Sequence, residues 1–353
     1  AGYSQYISLA ITVLSIVMVL WILNKRINPS YKLGWTMLIM AFPVFGLLLY
    51  LLFGHSRIAE EMQKRYTRVQ EDSIPYLQSD PRVCRKIQEE DPSAAVQSEY
   101  ICRHSVYPVY EHTKAEYFQV GDDMFPVLVK ELEQAEHYIY IEYFIINDGV
   151  MWRTILDILE QKAAQGVDVR LIYDGFGCLT TLPYKYDKFL REKGIQCKVF
   201  NPFRPVLNII QNNRDHRKIC VIDGKTGFTG GINLADEYIN QKERFGHWKD
   251  TAVMLKGDAV WSMTMMFLHM WNVVNGIQTP IDYAAHSPHA YHPEEFEGSG
   301  FVQPFTDTPL DGETLGENVY LNIINRAKRY VYICTPYLII DNEMMTALCL
   351  AAK

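Results

Sequence analysis

Two long apolar runs open the chain. The stretch from Tyr6 to Leu23 is almost continuously apolar, and the stretch from Leu33 to Gly54 has the same character. Each run is long enough to cross about 30 Å of hydrocarbon as a helix. The short connection between them is polar and carries a proline and three basic side chains. The pattern therefore predicts a two-helix transmembrane hairpin over residues 1–56.

The orientation of this hairpin is not decided by charge. Basic side chains lie both in the connection and after the second run, so the positive-inside rule favours neither side. The 7 cysteines are scattered, odd in number and free of Cys-x-x-Cys pairs, which indicates reduced thiols. We therefore expect a cell-membrane protein with two spans whose large domain faces the cytoplasm.

Behind the hairpin the pattern changes to that of a folded α/β domain. Residues 57–112 are charged and interrupted by prolines, and we interpret them as a juxtamembrane connector. Residues 113–280 alternate amphipathic helical patterns with β-rich runs such as Tyr138 to Ile146 and Val167 to Tyr173. Strands that alternate with helices predict an α/β sandwich with functional groups at strand ends.

The end of the sequence repeats its middle. Residues 281–300 are rich in Pro, Gly, Ser and His, which is typical of a linker. After it, Ala327–Ile333 aligns with Ala135–Ile141 at an offset of 327 − 135 = 192 positions. Residues 301–353 are therefore predicted to start a second, truncated copy of the 113–280 half.

Composition and charge narrow the function. The net charge of −7 argues against a broad nucleic-acid-binding surface, which is normally basic. His286, His289 and His292 in the linker lack an acid or thiol that would complete a metal cage. Neither a nucleic-acid partner nor a metal or other cofactor is predicted.

The candidate chemistry lies in one short polar stretch. It contains His216, Lys218 and Asp223 in a β-rich context. Residues two apart on a strand point to the same face, so the imidazole and the ammonium can both reach one phosphate. A neutral imidazole is a competent nucleophile, lysine suits phosphate oxygens, and a carboxylate can fix the imidazole tautomer.

A second group of small and polar residues follows closely. Gly230 and Gly231 would let backbone amides approach an anion, and Asn233 adds a side-chain amide donor. Upstream, Glu142 is an acid within an apolar strand, and an unpaired buried acid is costly. Glu142 is therefore expected either near the active centre or in a structural salt bridge.

The pattern His-x-Lys-x-x-x-x-Asp followed by Gly-Gly-x-Asn resembles the signature of the phospholipase D superfamily. The strand around Glu142, the Trp248–Asp250 segment and the two-helix module are similar to those of bacterial cardiolipin synthases. The resemblance implies a phospholipase D-type α-β-α sandwich repeated twice, with the second half incomplete. The second catalytic histidine would fall near position 408, beyond this sequence.

The resemblance also implies an activity. It suggests a membrane-bound phosphatidyltransferase that forms cardiolipin and glycerol from two phosphatidylglycerol molecules through a phosphohistidine at His216. His216, Lys218 and Asp223 would be the catalytic residues, with Lys218 on the phosphate oxygens and Asp223 orienting the imidazole. The substrate would be bound by Asn233, Gly230, Gly231 and Glu142. Partners would be phosphatidylglycerol and membrane lipid, and a homo-oligomer is left open. Without the second motif, the 353 residues alone are expected to be inactive.

Three alternatives stay open at this point. A hydrolytic phospholipase D would use the same covalent step and finish with water. A nuclease or another phosphodiester-cleaving member of the superfamily is disfavoured by the acidic charge balance. A non-catalytic membrane scaffold with a degenerate site belongs to a different class of function.

Overall fold

A computed structural model describes residues 2–25, 29–54, 57–202, 213–274, 281–293, 295–309 and 312–353. The described residues fall into two compact units. The first runs to Glu61, and the second begins at Met62. Each unit has its own core. The finer division of the chain into five segments stays a prediction.

The first unit contains three apolar helices, α1 (Gly2–Asn24), α2 (Pro29–Ala41) and α3 (Pro43–Phe53). One described helix, Tyr3–Asn24, is long and apolar enough to cross a membrane by length and composition. Side chains from all three helices form a small core of Ile22, Ile39, Leu47 and Tyr50.

The second apolar run differs from the expected single helix. It is divided at Phe42, because Pro43 has no amide hydrogen to continue the helical ladder. The helices α2 and α3 then approach closely, and a Cβ at Gly46 would lie 2.6 Å from the Ile39 Cα atom. The expectation of one continuous helix over Leu33–Gly54 is therefore wrong, and the two-helix transmembrane hairpin is not confirmed.

A seven-stranded mixed sheet forms the centre of the second unit. Its strands are β1 (Thr113–Phe118), β2 (Tyr138–Tyr143), β3 (Asp168–Asp174), β4 (Gln196–Phe200), β5 (Lys218–Ile222), β6 (Thr226–Gly230) and β7 (Ala252–Gly257). They lie in the order β1-β7-β6-β5-β2-β3-β4. The pairs β2–β3 and β3–β4 are parallel, and the other neighbours are antiparallel.

Helices pack on both faces of this sheet, with α7 (Gly121–Glu133) and α8 (Val150–Ala164) on one face and α10 (Val260–Val273) on the other. The other described helices from Arg57 onward are α4 (Arg57–Ser73), α5 (Pro81–Glu90), α6 (Pro92–Ser105), α9 (Tyr186–Glu192), α11 (Pro288–Tyr291), α12 (Leu315–Arg326) and α13 (Asn342–Ala352). Short 3₁₀ turns lie at Ile74–Tyr76, Asp236–Ile239 and Ala284–His286.

The alternation of side chains along each strand creates two cores. On β2, Ile139 and Ile141 pack with α7 and α8 on one face. Tyr138 and Tyr140 pack with α10 on the other face. The predicted α/β sandwich is confirmed, with the sheet between two helical layers.

Two strands and one segment differ from the sequence-based expectation. The strands β1 and β6 were not predicted, and they extend the sheet beyond β5. The strand expected over Tyr330–Ile333 is absent from the described residues, because Ala327–Asp341 has no pairing strand. Its side chains are exposed, as at Tyr332 and Ile339. The twofold repeat is not confirmed.

Candidate active site

Strand ends meet at one edge of the sheet. Tyr143, the last residue of β2, pairs with Lys218, the first residue of β5. The parallel strand β3 ends at the same edge, β6 ends there, and β7 begins there. His216 precedes β5 and is exposed at this edge, with the Phe144 ring 4.7 Å from the imidazole between centroids.

His216 and Lys218 are in direct contact. The Lys218 Nζ atom lies 3.2 Å from His216 Nδ1 and donates a hydrogen bond of 2.7 Å to the His216 carbonyl oxygen. Lys218 is buried, so its ammonium is fixed against the imidazole and does not extend into solvent. The spacing of these two residues in the sequence thus corresponds to a contact between their functional groups.

The surroundings set the charge of both groups. Burial and the neighbouring Lys218 charge lower the pKa of His216, while Asp215 and Asp250 oppose this shift. Burial also lowers the pKa of Lys218 to about 8, against the same two carboxylates. At neutral pH the site therefore holds a neutral imidazole beside a charged ammonium.

Asp223 lies at the opposite end of β5. Its carboxylate accepts hydrogen bonds of 2.8 Å from the backbone amides of Glu136, His137 and Tyr138, at the start of β2. Seven residue steps separate it from His216, which is about 20 Å along extended chain. Direct orientation of the imidazole by Asp223 is therefore wrong, because the strand itself keeps the two side chains apart.

The two glycines serve close packing between strands. A Cβ at Gly231 would lie 2.0 Å from the Asp250 Oδ1 atom, and Gly230 has a φ of +151° opposite Ala252. The Gly231 amide donates to the Thr251 carbonyl oxygen at 2.9 Å. The expected approach of this amide to an anion is not met, because the amide already has a partner. Gly231 instead leaves room for the Asp250 side chain at the edge that carries His216.

Asn233 is buried beside this edge. Its Oδ1 atom accepts from the Ile145 amide at 3.1 Å, and its Nδ2 atom donates to the Tyr238 hydroxyl at 2.8 Å. Only one of the two Nδ2 hydrogens is needed for the bond to Tyr238. The side chain is held in a fixed orientation from both of its polar atoms.

Glu142 lies on the other face of the sheet. Side chains alternate along β2, so Glu142 points to the α10 side, away from Lys218. Its carboxylate is fully buried and ion-paired with the Arg217 guanidinium. Substrate binding by Glu142 is therefore corrected in favour of the ion pair, because the carboxylate does not reach the His216 face.

A cavity of about 350 Å³ adjoins the His216–Lys218 pair. Most of its exposed wall is apolar. Its lining residues away from the pair include Arg217, Ile219, Met263, Met266 and Phe305, so the cavity extends toward the α10 side of the sheet. A phosphate held by the pair can therefore carry an apolar group next to it.

Sequence reasoning missed the acids that surround the pair. Asp215 and Asp174 belong to one chain of contacts, because the Asp215 amide donates to Asp174 Oδ2 at 3.0 Å. Asp250 was visible only as part of a Trp-x-Asp pattern. Their positions next to the motif and at a strand end were the available signals.

Two family models match parts of this chain. Residues 128–271 match a family model described as "Cardiolipin synthase, PLD-like domain", and residues 13–55 match one described as "Phospholipase_D-nuclease N-terminal". An uncharacterized protein of Streptococcus mutans is 44% identical over 335 residues, which is 95% of this chain and 72% of that protein.

Two similar relatives are named cardiolipin synthases. That of Geobacillus thermodenitrificans is 32% identical over 96% of this chain and 67% of its own length. Cardiolipin synthase 2 of Bacillus cereus is 32% identical over 92% of this chain and 62% of its own length. The chain thus spans about two thirds of the relatives it matches.

A solved structure, the phosphatidylserine synthase of Haemophilus influenzae Rd KW20, is more distant. It shares 14% identity and a TM-score of 0.47, over 72% of this chain and 63% of that one. The sequence relatives are close enough to decide the family. The chain belongs to the cardiolipin synthase family of phospholipase D-like proteins.

Proposed function

We propose that this chain carries the nucleophile of a membrane-bound phosphatidyltransferase that forms cardiolipin and glycerol from two phosphatidylglycerol molecules. The observation that carries the proposal is the contact between a neutral imidazole and a buried ammonium at an open sheet edge. Membership of the cardiolipin synthase family supports a phospholipid as the substrate.

The first step is attack on phosphorus. A phosphate oxygen of the donor lipid accepts the Lys218 hydrogen bond that now goes to the His216 ring, which frees the imidazole lone pair. The lone pair forms the nitrogen–phosphorus bond while the bond from phosphorus to the glycerol oxygen breaks. Asp215 and Asp250 stabilise the positive ring, in keeping with their upward effect on its pKa.

The second step regenerates the histidine. A hydroxyl of the second phosphatidylglycerol attacks phosphorus, the bond to His216 breaks, and cardiolipin leaves. The departing glycerol must gain a proton and the attacking hydroxyl must lose one. We assign both transfers to a second general acid–base group, which the superfamily pattern implies is another His-x-Lys motif.

The other motif residues support this step in different ways. Asn233 offers its second amide hydrogen to a phosphate oxygen, and its two existing bonds orient that hydrogen. Gly231 leaves room for the Asp250 carboxylate, and Gly230 allows close pairing of β6 with Ala252. Asp223 acts on the position of β5 as a whole, because it joins the end of that strand to the start of β2.

The membrane brings the lipid to the site. We propose that α1 and the broken pair α2–α3 form two spans, which leaves the N-terminus and the sheet domain on the same side of the membrane. The free cysteines favour the cytoplasmic side. The exposed apolar side chains of α1, such as Leu9 and Leu20, suit contact with acyl chains. The apolar wall of the cavity suits part of the same lipid.

Hydrolysis is the second candidate, and the exposure of His216 favours it. Water can reach this edge of the sheet and could replace the second lipid as acceptor. The two reactions give different products, because hydrolysis yields phosphatidic acid and glycerol, whereas transfer yields cardiolipin and glycerol.

These functions are distinguished by reconstituting the full-length membrane protein, with both predicted motifs, in vesicles of phosphatidylglycerol that carries a labelled headgroup. We expect labelled glycerol and cardiolipin in equal amounts, and loss of both in a His216→Asn variant. His137→Asn is the matched control, because His137 stacks on Tyr291 at the other sheet edge. Phosphatidic acid without cardiolipin would favour hydrolysis, and full turnover by His216→Asn would contradict both.

A further inference from the structure

A buried ionic cluster lies behind His216, on the α10 side of the sheet. Its centre is the Arg217 guanidinium, which pairs with Glu142 and donates from Nε to Asp215 Oδ1 at 3.1 Å. Glu142 and Asp215 are both buried. The described part of the same face also holds His269, whose pKa burial and Arg217 lower to about 3, so it adds no charge. The cluster consists of two carboxylates and one cation.

The cluster holds both chain neighbours of His216. Arg217, which follows His216, is tied to β2 through Glu142. Asp215, which precedes it, receives the Arg217 bond and donates its own amide to Asp174 at the end of β3. The backbone of His216 is therefore held from two different strands at a point where β5 has not yet begun.

The Arg217 guanidinium balances the buried negative charge of Glu142. Neither carboxylate oxygen of Glu142 has an aligned hydrogen bond within the described residues. Burial raises the pKa of Glu142, and the Arg217 charge opposes this. A buried ion pair contributes little stability beyond that of a well-packed apolar pair, although removal of one partner is strongly destabilising. What it adds is a defined geometry.

That geometry matters because His216 itself is exposed. Its ring is held by Phe144 on one side and by the bond to Lys218 on another. A small displacement of its backbone would separate the imidazole from the ammonium, and misplacement by about 1 Å can cost about 100-fold in rate. Glu142 is fully buried and does not touch the reacting atoms, so its effect on the reaction must pass through Arg217 and the backbone. Arg217 lines the cavity, and the comparison of kcat with KM separates a positioning role from substrate binding.

We propose that Glu142 and Arg217 are positioning residues that hold the His216 backbone so that the imidazole stays against Lys218. The proposal rests on the proposed function for its kinetic consequence. It places Arg217 between the cavity, which its side chain also lines, and the fully buried carboxylate of Glu142. It assigns Glu142 a task other than substrate binding.

The test compares this pair with a matched buried pair elsewhere. Glu131 is also buried, is ion-paired with Lys256 at 2.6 Å and accepts from Thr226, but it lies at the opposite sheet edge. The variants are Arg217→Met, Glu142→Gln and, as control, Glu131→Gln in the membrane-embedded protein. We expect the first two to lower kcat of the folded protein about 10- to 100-fold with KM changed less than about 3-fold. Glu131→Gln should lower the melting temperature and leave kcat within about 2-fold.

A readout without turnover separates the two proposals. Acylation of His216 by diethyl pyrocarbonate across a pH series, followed by mass spectrometry of its peptide, reports the imidazole pKa. Burial and the Lys218 charge lower this pKa in the wild type. It should rise in Arg217→Lys, which keeps the positive charge, as the ring leaves the buried Lys218. A wild type without transferase activity would contradict the proposed function and leave this pKa shift as the test of positioning.

Arg217→Lys covers the case in which Arg217→Met does not fold. It keeps the charge, but an ammonium does not offer the planar fork that bridges Glu142 and Asp215. We expect a folded protein with lower kcat and a raised His216 pKa. If Arg217→Lys and Glu142→Gln change only the melting temperature, as Glu131→Gln does, the pair is merely structural and the proposal is overturned.

Discussion

Lys218 is a buried lysine whose charge changes within the working pH range. Its pKa is lowered to about 8 by burial, and that of His216 lies below its usual 6.5. The reaction needs a neutral imidazole and a charged ammonium together. Activity should therefore fall as the pH drops below about 6.5 and the imidazole is protonated, and fall again as the pH rises through about 8.

Lys218→Arg tests the assignment of the alkaline limb. A guanidinium stays charged throughout this range, so we expect the fall near pH 8 to disappear, with a lower maximum because arginine does not fit the same space. The measurement is kcat/KM from pH 5 to 10 for both proteins. An alkaline limb that stays at pH 8 in the variant would assign it to another group.

At the residue scale, the sequence predicted contacts between residues of one strand but not contacts between residues of different strands. The contact of His216 with Lys218 could be predicted because residues two apart share a face of extended chain. The contact of Asp250 with Gly231 could not, since it depends on how β6 and β7 pair. The same limit led to the wrong role for Asp223.

The strands β2 and β5 are joined at their far end by one carboxylate. Asp223 accepts from three consecutive amides at the start of β2 and has a φ of +50°. In the described part of the sheet, no other carboxylate at a strand end accepts hydrogen bonds from three consecutive backbone amides. Removing it leaves these amides without their acceptor.

Asp223→Ala should therefore lower the free energy of unfolding by about 3 kcal/mol, since an unsatisfied partly buried donor costs about 1–3 kcal/mol. Asp223→Asn keeps one acceptor oxygen and should cost less. Denaturant unfolding of both variants gives the values, with the exposed Asp123→Ala as control. An unchanged His216 pKa in the folded variants is part of the expectation, and wild-type stability of Asp223→Ala would refute the role.

Helices and central strands were predictable from local pattern. The runs that became β2, β3 and β7 are apolar on one or both faces, and α7 and α8 follow a helical period. The strand β1 is buried only at its ends and β6 is rich in glycine and threonine, so neither has a strong strand pattern. Pro43 was the sequence signal for the break between α2 and α3. The prediction of one helix relied on the apolar length of the run instead.

The whole molecule combines an apolar helical unit with a sheet domain. Two spans in the first unit would return the chain to the side from which it started, and a single span would not. We expect epitope tags at the N-terminus and after Lys353 to be cut by protease on the same side of sealed vesicles. If protease added outside the vesicles cut one tag and left the other intact, the chain would cross the membrane once, and α2 and α3 would lie at the membrane surface.

The predicted second half shows where local sequence stops being informative at this scale. The alignment of Ala327–Ile333 with Ala135–Ile141 is visible in the sequence, and only the earlier copy is a strand or leads into one. A strand needs a hydrogen-bonded neighbour, and that neighbour is not encoded within the segment itself.

The covalent step at His216 is the central claim, and rapid quenching tests it most directly. The membrane-embedded protein is mixed with phosphatidylglycerol carrying labelled phosphorus, quenched under alkaline conditions and digested. We predict an acid-labile phosphatidyl adduct on the His216 peptide that is absent from His216→Asn. When unlabelled phosphatidylglycerol is added before the quench, the label should move from this adduct to cardiolipin. Cardiolipin formation at the full rate with no adduct on His216 would contradict the claim.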